Sequence, residues 1–261
     1  MTKDELKVKT GQYYIDEEMQ QMTFYDSRYY LNNKTGNYLP SASTILDAYP
    51  KGPEFFKWLK EKGSEADNIR DLAAAQGSFV HKCTEMYDNG EVVSLLNANG
   101  TISCSTREWA MFERYVQFSQ KVCPIIKYNE LSLVSEELGF GGTLDRIMEI
   151  EGKNYLMDIK TSNVLHNHYW LQLTAYKKLF NLEVDPEFKI SGVGIIWLNA
   201  KTRGEGKSGS CQGKGWQVVF PDKEEEHYWK LFQHTQTLWL EENNNYKPNN
   251  LTYKLEHKKS Q

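Results

Sequence analysis

The hydrophobic period changes at Pro124, and that change fixes the class of fold. Upstream, "STREWAMFERYVQFSQKV" spaces its apolar residues as an amphipathic helix does, with Ser105 as its cap. Downstream, "IIKYNELSLVSEEL", "GGTLDRIMEI" and "NYLMDIKTS" read as three strands, the last two joined by a tight turn at "EGK". A helix is expected over residues 166–181, a strand over "KISGVGIIWLNA", another over "GWQVVF", and a last helix over residues 223–243. Two earlier helices are expected, one starting at Pro53 and running to about Lys62, the other over residues 65–89. This order predicts an α/β core: a central mixed sheet containing an antiparallel hairpin, flanked by helices. Residues 12–40 alternate aromatic and polar side chains and predict a small hairpin or irregular β lobe. A short helix over residues 44–48, capped by Ser41 or Ser43, follows it. The expected organisation is an accessory lobe over residues 1–50, a main domain over 51–245 and a polar tail over 246–261.

The hairpin carries charge where burial makes unpaired charge costly. Asp158 and Lys160 share a strand face, and Ile159 points the other way. If Glu151 and Gly152 are the central turn residues, Asp145 lies opposite Asp158. If Gly152 and Lys153 are, it lies opposite Lys160. Both two-residue turns put all three charges on one face; a three-residue turn breaks this. Two carboxylates on one face call for a cation between them. Mg²⁺ takes one or two carboxylates plus water and phosphate oxygens. A lysine beside it orients or deprotonates a water, or offsets developing negative charge. The plainer reading is a surface hairpin with an ordinary Asp–Lys pair.

Composition narrows the setting. The 261 residues carry a net charge of −4, which argues against coating nucleic acid by bulk charge but leaves room for a local basic groove. The 16 Tyr and 7 Trp exceed a minimal core's needs, with burial as the default use. None of Cys83, Cys104, Cys123 and Cys211 forms a C-x-x-C pair, so free thiols are expected. The opening "MTKDELKVKT" is polar, and no apolar run approaches a membrane span. The expected location is the cytoplasm, and no membrane partner is expected.

Other residues point the same way. "AAAQGSFVHKCTEMY" puts His81 and Glu85 one helical turn apart, after a small-residue stretch that permits close packing. "HYWLQLTAYKKLF" does the same for Gln172 and Tyr176. Glu136, in "VSEELGFGG", is a further candidate acid.

The series G-x-x-x-H-x-x-x-E, G-G-T-L-D-R, D-I-K-T-S and Q-L-T-A-Y, from about Gln76 to Tyr176, resembles the RecB-like exonuclease branch of the PD-(D/E)XK nuclease superfamily. That branch includes phage exonucleases, CRISPR-associated RecB-like nucleases and the mitochondrial genome maintenance exonuclease. The resemblance implies a restriction-endonuclease-like core and a metal-dependent deoxyribonuclease, an exonuclease in DNA recombination, replication or repair. It implies Mg²⁺ or Mn²⁺ held by His81, Asp145, Asp158 and the backbone carbonyl of Ile159. It implies Lys160 as the catalytic lysine, with Gln172 and Tyr176 positioning the lysine, water or DNA backbone. Glu85 matches a frequent acid of the branch. DNA, single-stranded or with duplex ends, is the implied partner, along with a recombination or replication protein. A phage origin would place the chain in the host cytoplasm. The rival readings are a structure-specific endonuclease of the same fold and a non-catalytic DNA-binding protein.

The chain also departs from relatives. Asp158 stands where many superfamily members carry Glu. No cysteine precedes His81 and only Cys211 lies beyond the core, so no iron–sulfur cluster is expected. "RGEGKSGS" mimics the end of a Walker A loop, but Lys201 replaces the required glycine, so no ATP site is expected.

Two basic segments are candidate nucleic-acid contacts. Lys201, Arg203, Lys207 and Lys214 populate a glycine-rich loop between two strands, which is either a phosphate contact or an ordinary solvated loop. Lys57 and Lys60 lie among Phe55, Phe56 and Trp58 on an early helix. Those aromatics either stack on a single strand or belong to the core, with the lysines on the solvent face.

Overall fold

The computed structural model describes residues 13–16, 21–24, 27–203 and 212–243; at 13–16, 23–24, 201–203 and 212–214 it describes the backbone alone. The N-terminal strands are β1 (Tyr13–Asp16), β2 (Gln21–Phe24), β3 (Ser27–Asn32) and β4 (Asn37–Pro40), an antiparallel sheet in chain order. The segment expected as a small hairpin or irregular β lobe is therefore a four-stranded meander. Ser41 caps α1 (Ala42–Ile45) by accepting from the Thr44 amide, and a 3₁₀ turn (Leu46–Ala48) continues it. Helices α2 (Pro53–Lys62), α3 (Ala66–Asp88) and α4 (Thr106–Val122) follow. Ser105 and Glu108 close a reciprocal capping box at the start of α4.

The main sheet is β5 (Ile125–Ser135), β6 (Phe140–Ile150), β7 (Lys153–Lys160), β8 (Ile190–Arg203) and β9 (Gln212–Val219), in that spatial order. Only β7 and β8 run parallel, joined through α5 (Asn167–Glu183) as a crossover; the last helix is α6 (Glu225–Glu242). The chain is thus a mixed α/β fold with a five-stranded mixed sheet between helices and a small antiparallel sheet at its N-terminal side. Among the described residues, no helix is long and apolar enough to cross a membrane.

Ile147, Leu156 and Ile195 pack with α5, α6 and the N-terminal Met22, Tyr29 and Ile45 in one cluster. Met148, Met157 and Ile196 pack with Val80 of α3 and Met111, Tyr115 and Phe118 of α4 in the other. Adjacent residues of β6 and β7 serve opposite clusters, as strand alternation requires.

Several expectations need correction. The early-helix aromatics are not core: α2 has no buried residue and Phe56 is 52% exposed, because α2 meets little beyond α3. The small residues at 73–75 are exposed rather than closely packed, and Ala73 and Ala74 line an open cleft. Lys201, Arg203 and Lys214 stand on strands rather than in a loop, with Lys201 opposite Lys214, because β8 and β9 extend their pairing that far. Lys207 and the Walker-like "GKS" lie outside the described residues, as do residues 1–12 and the tail at 244–261.

Candidate active site

The hairpin register places the charges. Ile150 pairs with Lys153, so Glu151 and Gly152 are the central turn residues. Both have positive φ, 51° and 74°, as a type I′ turn requires. Arg146 then pairs with Met157, which sets Asp145 opposite Asp158. Asp145, Asp158 and Lys160 share the face that Ile147 and Leu156 present to α5.

At this point the sheet forks. Past Arg146, β6 continues with β5, pairing as far as Phe140 with Ser135. Past Met157, β7 continues with β8, pairing as far as Lys160 with Trp197. The Ile159 amide, without a ladder partner on β6, donates to Asp145 Oδ2 at 2.8 Å. A side chain takes over where the backbone ladder stops.

The fork opens into a cleft of about 1020 Å³. His81, Lys82 and Glu85 of α3 line it, with Asp145, Asp158, Ile159 and Lys160 on its floor. Gln172 and Tyr176 of α5 complete it, Gln172 Nε2 donating to Tyr176 Oη at 2.9 Å. The glycine pair of "GGT" lets aromatics lie against β6. A Cβ at Gly142 would sit 2.1 Å from the Tyr176 ring, and one at Gly141 would sit 2.8 Å from Tyr30. The N-terminal sheet also reaches the cleft through Gln21 and Arg28. Gln21 and Tyr30 bond Thr143, two residues before Asp145, at 3.1 and 2.9 Å.

His81 Nδ1 lies 3.4 Å from Asp145 Oδ2. Glu85 instead pairs with Lys82 at 3.1 Å. Lys160 Nζ lies 2.7 Å from Asp158 Oδ2 and 4.6 Å from the centre of the Tyr169 ring. Asp158 is almost wholly buried and its Oδ2 is ion-paired with that ammonium. Burial pushes the Asp158 carboxyl up to about 6, against the pull of Lys160 and with help from Asp145. Burial acts to lower the Lys160 ammonium, but Asp158 and Asp145 outweigh it and raise the group above its ordinary range.

The sequence reading missed Glu130 and Arg146. Glu130 falls between the pairs Asn129–Arg146 and Leu131–Leu144, which puts it across from Asp145. Its φ of 48° breaks the simple alternation of faces along β5. Ligand atoms of His81, Glu130 and Asp145 lie within 4.8 Å of one another. Arg146 is fully buried. Its Nε donates to Asp88 at 2.7 Å and its Nη1 to Glu130 at 3.0 Å and to the Asp145 carbonyl at 2.7 Å. Its Nη2 donates to Thr84 Oγ1 at 3.1 Å. Burial, reinforced by Asp145 and opposed by Arg146, raises the Glu130 carboxyl to about 7. A signal was present, since one acid interrupts the strand "YNELSLV", but only the long-range register brings it here. Glu136 does not come to the cleft; it accepts from Thr35 and Asn37 at the surface.

The donor set, one imidazole with converging carboxylates, suits a hard divalent cation. No family model and no curated protein matches this chain.

Proposed function

We propose that the chain is a metal-dependent nuclease that hydrolyses phosphodiester bonds in DNA, acting from strand ends, in recombination, replication or repair. The observation that carries this reading is the convergence of Asp145, Asp158 and Lys160 at the fork, with His81 beside Asp145, in one open cleft. His81, Asp145, Asp158 and the Ile159 carbonyl would hold Mg²⁺ or Mn²⁺. The bound ion supplies Lewis-acid polarisation of a phosphoryl oxygen and acidification of a water.

The protein groups have separate tasks. Lys160, kept as an ammonium between carboxylates, donates to the attacking water and offsets charge on the phosphoryl oxygens. Tyr169 flanks that ammonium and restricts its position. Gln172 and Tyr176, bonded to each other, form the α5 wall that positions the backbone. Water adds to phosphorus and gives up a proton to solvent, the bond to the leaving oxygen breaks, and that oxygen takes a proton from solvent. The products are a phosphate monoester and a free hydroxyl.

The test is a gel assay with end-labelled single- and double-stranded DNA in Mn²⁺ or EDTA. Cleavage in Mn²⁺, absent in EDTA and lost in Lys160→Ala with DNA binding intact, supports the reading. Equal cleavage by that variant overturns the mechanism. Circular DNA cut as fast as linear DNA overturns action from ends.

A further inference from the structure

We propose that Glu130, a residue outside the motifs that carry the resemblance, is a ligand of the divalent cation, and that Arg146 is the positioning residue that holds it there. This rests on the metal-dependent reading above and adds Glu130, on the side of Asp145 that His81 also faces, to the ligands named there.

Distance comes first. The three ligand atoms lie within 4.8 Å of one another. Ligands on opposite sides of an ion with bonds of about 2.1 Å stand about 4.2 Å apart, so small side-chain movements close the site. Asp158 lies outside this triangle, paired with Lys160, and would complete the set from the β7 side of Asp145.

Charge points the same way. Glu130 and Asp145 converge with His81 on one side of the fork, and the guanidinium nearest to Glu130, that of Arg146, is shared with Asp88. Asp145 and Glu130 also stand across from each other on adjacent antiparallel strands, an arrangement that destabilises a sheet unless a cation lies between them.

The arrangement of Arg146 fits a positioning role. Asp88 takes its Nε, so its charge is not reserved for Glu130. Arg146 engages Glu130 through Oε1, which leaves lone pairs on the carboxylate for an ion. From β6 the same guanidinium reaches Glu130 on β5, so it ties together the strands bearing two of the three ligands.

A purely structural ion pair between Glu130 and Arg146 makes opposite predictions, and Glu130→Gln separates them. Gln keeps an acceptor for Arg146 and removes one negative charge. If Glu130 is a ligand, Mn²⁺ affinity by titration calorimetry falls about 10-fold or more. The urea midpoint in EDTA then holds or rises, because repulsion with Asp145 is relieved. An unchanged Mn²⁺ affinity with a lowered midpoint overturns the proposal. Glu130→Asp is the second variant. It keeps the charge beside Arg146 and withdraws the oxygen by one methylene, so Mn²⁺ affinity falls here too; wild-type affinity in a folded Asp variant overturns the proposal. Wild-type protein that takes up no Mn²⁺ at millimolar concentration overturns the nuclease reading itself. Wild-type uptake with unaltered variants overturns the Glu130 assignment alone.

Discussion

Asp145 accepts the amide of Ile159 across the fork, at 2.8 Å, and thereby ties β6 to β7 beyond their last backbone pair. One carboxylate thus has a structural task and, in the proposed reading, a metal-binding one. Substitutions separate them. Asp145→Asn keeps an oxygen for the Ile159 amide and gives up the charge. Its urea midpoint in EDTA is expected to match or exceed that of the wild type, while Mn²⁺-dependent cleavage is lost. Asp145→Ala leaves the amide without a partner and is expected to cost about 1–3 kcal/mol. Equal stability of the Ala variant would show that water or a backbone shift satisfies Ile159.

Arg146 predicts the largest loss of stability. Its guanidinium is buried and meets Asp88, Glu130, Thr84 and the Asp145 carbonyl, and Asp88 also accepts from Tyr115 at 2.5 Å. Arg146→Met leaves the buried Asp88 carboxylate and the partly buried Glu130 carboxylate without their cation. The expected cost is about 3–5 kcal/mol in urea unfolding. Arg146→Lys restores charge but not the fork of donors, so it falls between the two. A methionine variant as stable as wild type would mean that Asp88 and Glu130 are neutral in the fold.

Gly142 predicts a coupling. A methyl group there would lie 2.1 Å from the Tyr176 ring, which packs in the core. Gly142→Ala must displace that ring or β6, at an expected cost of about 1–3 kcal/mol. In a Tyr176→Ala background the same change meets space and costs less. The double-mutant cycle, read by thermal unfolding, should show a double variant that loses clearly less than the sum of the two single losses; additive losses would show that the clash lies elsewhere.

What the sequence revealed and what it hid divide along the range of the interaction. The Glu151–Gly152 turn was one of two readings, since either glycine-containing pair suits a two-residue hairpin; the observed one needs positive φ at Glu151. The capping box at Ser105 was legible because its partners lie three residues apart. Glu130 was not legible, because its place depends on pairing with β6 and on a left-handed backbone that alternation does not anticipate. Arg146 was visible as a letter in "GGTLDR", yet its partners Asp88 and Glu130 lie 58 and 16 residues away. The aromatics of α2 misled for the opposite reason: a local amphipathic pattern implies a buried face, but burial needs a neighbour, and none covers Phe56 among the described residues.

His168 offers a prediction about pH. It sits at the start of α5, its ring stacked on His166 and edge-on to Tyr169. Burial lowers its pKa to about 4, with further lowering from the nearby cations His166, Lys51 and Lys160. In the unfolded chain the group titrates near its ordinary value of about 6.5. Between these values the unfolded chain binds the proton and the folded chain does not. Stability contributed by neutral His168 is therefore fully present above about pH 6.5, is lost as the pH falls toward about 4, and changes no further below that. Carboxylates such as Asp158 and Glu130 titrate in the same window, so the test is a difference. Urea midpoints of the wild type and His168→Gln, measured from pH 7 to pH 4, should diverge, the wild type losing more. Parallel curves would mean that His168 takes up its proton in the folded protein as readily as in the unfolded chain, and that the α5 end of the cleft admits charge.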